Sequence, residues 1–339
     1  MKRVGNLYLT IAEPDNLRLA FVKASIGKQD RREVVAFREN LDQNLANLHH
    51  HLLSGDVHVG DYRIFTVHDP KERLICAASF RERVLHHAIM NICEPVLDRY
   101  AIYDSWACRT GKGQRAAVER AGEFAGHYQW YLKLDIRKYF DSIDHETLLE
   151  LLSRRFKDDE LLDLFRRIIA TYSTEPGKGL PIGNLVSQHL ANFYLGLLDH
   201  WIREERRISG YLRYMDDFAL FSDSRETLKI ELAEITLFLK ECLRLNLKDN
   251  IQLNRTACGV PFLGMRVYPH TVRLSPRSRN RFSRKLREYE KRSAMGEWSE
   301  RELAERVNSL VEFTRIADSH GFRNDVISET TKKHSRLSF

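Results

Sequence analysis

The stretch GYLRYMDDFALF, residues 210–221, sets two adjacent carboxylates, Asp216 and Asp217, between two short apolar runs. Leu212 and Tyr214 alternate before them, and Phe218, Leu220 and Phe221 follow. This pattern reads as strand, tight turn, strand. The turn holds Met215-Asp216, whereas a relaxed two-residue hairpin favours Asn-Gly or Asp-Gly. A local rule broken at one point is expected at a functional site. An exposed hairpin tip with two solvated acids is the plainer reading, and the hairpin alone does not separate the two.

Composition bounds the rest. The 339 residues are 43% hydrophobic and 30% charged, the balance of a soluble globular chain with room for two or three subdomains. No apolar run approaches the roughly 18–20 residues needed to span a bilayer. Pro14 and flanking acids interrupt the N-terminal segment, which therefore does not read as a signal peptide. A cytoplasmic protein with no membrane partner is expected. The five cysteines are odd in number and form no CxxC knuckle, so reduced thiols are expected. The histidine run at 49–51 and the His86-His87 pair lack companion ligands, and no structural metal is expected from them.

The net charge of +7 is clustered. Nine basic residues fall between Arg273 and Arg292, Arg277, Arg281, Arg284 and Lys285 among them, against the two acids Glu288 and Glu290. On a helix such a run is either a solvated face or a contact for phosphate backbone.

Residues 1–60 read as helical. The segment DRREVVAFRENLDQNLANLHHHLLSGD (30–56) carries apolar positions at close to a 3.6 period and stops at Gly55, which predicts one helix. Residues 61–80 predict two strands around Asp69–Glu72, then a helix over 81–98. A buried strand from Trp130 to Leu134 runs through Asp135 towards a helix, with Ser142–Asp144 where an N-cap belongs. A Gly/Pro loop at 175–188 leads into an apolar helix. After the opening hairpin come an amphipathic helix over about 225–243, a hairpin in GVPFLGMRVYP (259–269) and basic helices over 276–318. Strands and helices intersperse without a βαβ rhythm, which predicts an α+β fold.

If the strands bearing Asp135 and Asp216-Asp217 are neighbours, three carboxylates converge beside a basic surface. Magnesium prefers carboxylate, water and phosphate oxygens. Two such ions would clamp the attacking and leaving oxygens of an in-line phosphoryl displacement. Here the residues resemble a known family. YMDD (214–217) resembles the catalytic tetrapeptide of reverse transcriptases, and the other motifs occur in that family's order. LKLDIRKYFDSI (132–143) is similar to the motif bearing the first metal-binding aspartate. PKERLI (70–75) resembles the fingers segment that meets the incoming triphosphate, and FLG (262–264) resembles the primer grip.

The resemblance implies a right-hand polymerase fold, with fingers, an antiparallel palm sheet and a helical thumb. On that reading residues 1–60 form an N-terminal helical extension, 61–268 the interleaved fingers and palm, and 269–339 a basic thumb and tail. It implies that Asp135 and Asp216, with the Ile136 carbonyl, hold two magnesium ions, manganese being able to substitute, and that Asp217 completes the acidic cluster. Lys71 and Arg73 would grip triphosphate oxygens, and Phe140 would exclude a ribose 2′-hydroxyl and so select deoxynucleoside triphosphates. Phe262, Leu263 and Gly264, with Arg277, Arg281, Arg284 and Lys285, would hold primer and template as an RNA–DNA heteroduplex.

The loop GKGLPIGNLVSQ (177–188) narrows the family. Most reverse transcriptases start this motif Gln-Gly and end it Ser-Pro; here Ile182-Gly183 starts it and Ser187-Gln188 ends it. That pattern resembles the reverse transcriptases of diversity-generating retroelements, in which a template RNA is copied with frequent errors at adenines. Ile182, Gly183 and Gln188 would then face the nucleotide, Ile182 standing where a glutamine makes a polar contact. Losing that contact reduces differential binding of right over wrong nucleotide; Ile182 packing the loop is the plainer alternative. Members of that family work with a small basic accessory protein. Another prokaryotic enzyme of the retron, defence-associated or intron-encoded kind is the main competing reading, and a non-catalytic nucleic-acid-binding module a further one. The short span after the thumb and the lack of a paired-cysteine module weigh against the intron class.

Overall fold

The computed structural model describes residues 2–68 and 72–335, the side chains of 329–335 excepted. The chain begins with α1 (Tyr8–Ala12), α2 (Pro14–Ser25), α3 (Arg32–Glu39) and α4 (Leu41–Leu53). The hairpin of β1 (Tyr62–His68) and β2 (Glu72–Ala78) leads into α5 (Phe80–Tyr100). Next come α6 (Gln114–His127), β3 (Trp130–Asp135), α7 (Tyr139–Ser142), α8 (His145–Ser153) and α9 (Asp159–Ala170). Then α10 (Leu185–Tyr194), α11 (Gly196–His200) and a π-helical turn at Trp201–Glu205 precede the hairpin of β4 (Gly210–Tyr214) and β5 (Asp217–Ser222). After α12 (Arg225–Cys242) follow β6 (Gln252–Arg255), β7 (Val260–Phe262), β8 (Met265–Val267) and β9 (Val272–Leu274). The chain closes with α13 (Pro276–Ala294), α14 (Glu300–Thr314) and α15 (His320–Ser335).

Antiparallel sheets interspersed with helices make the fold α+β, as the element pattern predicts. The chain divides into two compact units, each built from three segments. One comprises residues 1–109, 136–207 and 234–248; the other comprises 110–135, 208–233 and 249–339.

In the first unit α2 and α5 pack together around a ring cluster. Phe21 and Phe37 stack with centroids 5.8 Å apart, and Phe80 meets both edge-on. The single helix expected over 30–56 is two. Asn40 leaves helical geometry at φ −121°, ψ 40°, and its carbonyl restarts the ladder by accepting from Asn44 N. The apolar period runs on across the break, so it does not betray it.

The second unit is centred on the four-stranded sheet in the order β4-β5-β3-β6, all antiparallel. Leu132, Leu134, Leu212, Phe218 and Leu220 are fully buried there. Helix α6 packs on β4 and β8, with Phe124 against Phe221 at 5.4 Å. A three-stranded sheet, β7-β8-β9, leads to α13–α15, whose core joins Phe282, Leu286 and Val326. All five cysteines are free thiols. No helix among the described residues is long and apolar enough to cross a membrane.

Asp144 is the cap that the sequence suggests for α8. Its Oδ1 accepts from Thr147 N at 2.9 Å and from the Thr147 hydroxyl at 2.8 Å, and its Oδ2 accepts from Arg244 Nη1 at 2.9 Å. Burial pushes this carboxyl up, but the Thr147 hydrogen bonds and the Arg244 guanidinium together outweigh burial and hold it below the usual carboxylate value. Asp144→Ala is expected to cost about 1–2 kcal/mol of stability. Because the folded carboxyl is the stronger acid, that contribution is in place above the ordinary carboxylate range and is lost as pH falls through the folded value. Urea midpoints of wild type and variant should therefore differ at neutral pH and converge on acidification.

Candidate active site

Strand β3 lies antiparallel to β5 in a register that sets Asp135 opposite Asp217. In the hairpin Tyr214 pairs with Asp217, leaving Met215-Asp216 as a two-residue loop. Met215 has φ +54° and Asp216 does not share the left-handed region. That is the φ pattern of a type II′ turn, which ordinarily takes glycine first. A non-glycine residue held there costs of order 1–3 kcal/mol and persists only where its surroundings over-determine it. Arg213 does so here: 1% exposed, it donates from Nη1 to the Met215 carbonyl at 3.0 Å.

Lys133, two residues before Asp135 on the same side of β3, is 8% exposed. Its ammonium pairs with Asp217 Oδ1 and lies 5.6 Å from the centroid of the Phe262 ring. Among the described residues no three or more His, Cys, Asp and Glu side chains are arranged to hold a metal ion. The convergence expected of Asp135, Asp216 and Asp217 is thus met in backbone placement and not as a ready ligand set. Adjacent carboxylates repel one another, and Lys133 neutralises Asp217.

A groove of about 320 Å³ runs along these strand ends, lined by Lys133, Asp135, Asp217, Phe262, Leu263, Gly264 and Arg277. Its far wall is the β7–β8 loop. Leu263 and Gly264 have φ +48° and +81°, the two positive values of a type I′ turn. The Gly264 carbonyl accepts from Ser278 Oγ at 2.7 Å and from Ser275 N at 3.0 Å, fixing the loop to the start of α13. Gln114, which the motifs do not reveal, donates from Nε2 to the Leu263 carbonyl at 2.8 Å. Arg281, Arg284 and Lys285 follow along α13 outside the groove lining.

The other predicted site residues gather in the first unit. The Ile182 carbonyl accepts from Cys76 N at 2.8 Å, so the loop docks on β2. Gly183, at φ +113°, has no room for a side chain: a Cβ would lie 2.9 Å from Ile75 Cγ2 and 3.2 Å from the Cys76 carbonyl oxygen. Leu180 N donates to the Phe140 carbonyl at 2.8 Å, tying the same loop to α7. Phe140 is half-buried, its ring edge-on to Tyr139 at 5.8 Å. Arg73 is exposed on β2 opposite Val67. Gln188 is exposed on α10, and Ile136 is buried and bridges Leu247. Lys71 lies outside the described residues.

Two residues of this loop escaped sequence reasoning. Asn184 and Ser187 are each 1% exposed, and among the described residues their side-chain polar atoms find no hydrogen-bond partner. Buried polar groups are normally satisfied. Asn184 stands at the N-cap position of α10, yet its side chain does not cap the helix.

Residues 68–267 match the family described as reverse transcriptase (RNA-dependent DNA polymerase), more than half of the chain. The chain belongs to the reverse transcriptase family. Among relatives of this reverse transcriptase, the putative COX1/OXI3 intron 1 protein of Saccharomyces cerevisiae is 24% identical over 212 residues, covering 59% of this chain and 25% of that protein. The group II intron-encoded protein LtrA of Lactococcus lactis subsp. cremoris is 26% identical over 138 residues, covering 39% and 23%. The chain spans a quarter or less of the length of each. Among solved structures, apo telomerase from Candida tropicalis aligns with TM-score 0.48 and 13% identity over 63% of this chain and 55% of that one.

The Ile182–Gly183 docking generates a test. Gly183→Ala in this reverse transcriptase is expected to lower stability by about 1–3 kcal/mol, because the new methyl meets β2 and the backbone is forced into a region suited to glycine. Urea unfolding measures it, and an unchanged midpoint would show that the loop is not seated on β2.

Proposed function

We propose that this chain is an RNA-directed DNA polymerase that makes error-prone cDNA from a template RNA, as the enzyme of a diversity-generating retroelement. The observation that carries the polymerase reading is the register setting Asp135 opposite Asp217, with Asp216 in the adjoining turn and the Phe262–Gly264 loop across the same groove. An all-oxygen donor set suits magnesium, and the carboxylates of Asp135 and Asp216 with the Ile136 carbonyl would hold two ions. Bound there, magnesium supplies neutralisation of the triphosphate and a more acidic primer hydroxyl.

The chain's own residues do the positioning on which such chemistry mainly depends. The anchored loop at Leu263-Gly264 presents a firm backbone to the primer terminus. Arg277 offers a planar fork to backbone phosphate, and Arg73 offers the same to triphosphate oxygens, with Lys71 as a point charge. Phe140, braced by Tyr139, presents bulk where a ribose 2′-hydroxyl would sit, and exclusion needs no hydrogen bond.

Ile182 supports the error-prone reading. Its side chain is apolar, so where a glutamine would reach the nucleotide this side chain offers no polar contact, and its carbonyl accepts from Cys76 N. A site that makes fewer specific hydrogen bonds discriminates less between right and wrong nucleotide. The small basic accessory protein is proposed on the resemblance of the IGNLVSQ loop alone. An intron-type enzyme is the second reading, favoured by the intron-encoded relatives.

Template-dependent extension with magnesium tests both readings. Asp216→Ala is expected to lose activity by about 10²–10³-fold or more, on the scale of removing a group that stabilises transition-state charge; equal activity would remove the polymerase reading. Sequenced cDNA should show errors concentrated at template adenines, and Ile182→Gln should reduce them several-fold. Uniformly low error frequencies in wild type would favour the intron-type enzyme.

A further inference from the structure

Arg266 and Arg273 stand directly opposite each other in the antiparallel register of β8 and β9. Like charges in that relation repel and destabilise a sheet, so setting the two charges opposite each other works against the chain's own folding. Strand alternation sends both side chains to the face opposite Met265, Val267 and Leu274, which are buried.

A third guanidinium joins them from α13. Arg277 and Arg279 are two residues apart and hence about 200° apart around a helix. Arg277 lines the Asp135 groove, whereas Arg279 lines a separate cleft of about 600 Å³ with Arg266 and Arg273. The basic helix therefore serves two surfaces.

The cleft is short of acid. Asp318 is the one carboxylate in its lining, and among the described residues none of the three arginines forms an ion pair. Their contacts orient them without neutralising them. Arg273 lies 5.7 Å from the Tyr268 ring centroid and Arg279 lies 4.8 Å from that of Phe322. Arg266 donates to the Cys258 carbonyl from Nη2 at 3.2 Å and from Nε at 3.3 Å. Ser319 and Gly321, at the start of α15, bring a helix N-terminus to the same cleft, and its dipole adds positive potential.

We propose that this cleft is a second nucleic-acid site, which grips backbone phosphates of single-stranded RNA outside the primer–template groove. Guanidinium forks match phosphate oxygens bidentately, and the half-buried Tyr268 ring at the cleft offers a platform for an unpaired base. The choice of RNA over an acidic peptide rests on the proposed template-copying activity. A template would then be held at two places, its free length kept close to the enzyme while its paired end is extended.

The test compares wild type with R266Q/R273Q in the full chain, using a fluorescein-labelled single-stranded RNA and a short preannealed RNA template–DNA primer duplex. The variant should bind the RNA about tenfold more weakly at low salt. The slope of log Kd against log salt should fall by about 1.4, two phosphate contacts at about 0.7 each. Extension of the short duplex should stay within about twofold, and the thermal midpoint of the free chain should be equal or higher, since a repulsion has been removed. Unchanged RNA affinity and slope would overturn the proposal. So would a lowered midpoint with unchanged affinity, which would make the arginines ring-packing residues. A larger loss for a poly-glutamate peptide than for RNA would overturn the RNA assignment. R266K/R273K, which keeps the charges, should keep the salt slope. Asp216→Ala should keep RNA affinity; if wild type extends nothing while R266Q/R273Q still loses RNA, the polymerase reading fails and the site stands.

Discussion

The pairing of β3 with β5 is the constraint on which the rest of the molecule depends. Side chains alternate along a strand, so a slip of one residue would turn Asp135 and Lys133 to the opposite face and leave Asp217 facing a leucine. The register is held from both ends. At one end the Trp130 ring meets Arg225 and Arg255, at 5.7 and 5.0 Å from ring centroid to guanidinium. In the middle Leu132 and Leu134 are fully buried. At the other end the Lys133 ammonium reaches Asp217 across the same strand pair. Hydrophobic burial supplies the energy, and the two charged clamps supply the specificity.

Backbone strain occurs at three of the motifs, while Asn6, Cys108, Arg207 and Arg244, also non-glycine residues with positive φ, lie outside them. Three of the non-glycine residues with positive φ are Lys138, Met215 and Leu263. Lys138 lies two residues before Phe140, Met215 beside Asp216, and Leu263 in the wall of the groove. Each is held by its surroundings: the Lys138 carbonyl accepts from Ser142, that of Met215 from Arg213 and that of Leu263 from Gln114. Residues kept in sparsely populated conformations cluster at functional sites because the site needs a shape that relaxed chain would not adopt.

Local features were legible in the sequence, and non-local ones were not. The YMDD hairpin, its two-residue loop and the acidic tip follow from period-two alternation over a dozen adjacent residues. The cap at Asp144 and the amphipathic α12 follow from equally short windows. The register of Asp135 against Asp217 joins positions far apart in sequence, and no local pattern encodes it; only the resemblance pointed to it. Lys133 read as one more residue of a strand, although its partner lies on β5. The break at Asn40 was hidden because apolar spacing continued through it, and the opposed arginines of β8 and β9 because strand pairing, not composition, makes them neighbours. Asn184 was silent for a different reason: its residue type suits a cap, yet its buried side chain neither caps α10 nor finds a hydrogen-bond partner among the described residues.

Each compact unit is assembled from three separated segments, and this bears on how the chain is made. Strand β3 has β5 on one side and β6 on the other, and the β6 partner of Trp130 is Arg255. On the ribosome, at about 5–20 residues per second, β3 waits roughly 6–25 s for that last neighbour. During the wait Leu132 and Leu134 sit on an incomplete sheet, with an open strand edge beside them. Such an edge is a template for pairing with another chain, and non-local pairing is intrinsically slow. The sheet that carries the carboxylates therefore cannot close until Arg255 has been made, and β7 to β9 and the three closing helices can pack in their unit only after that.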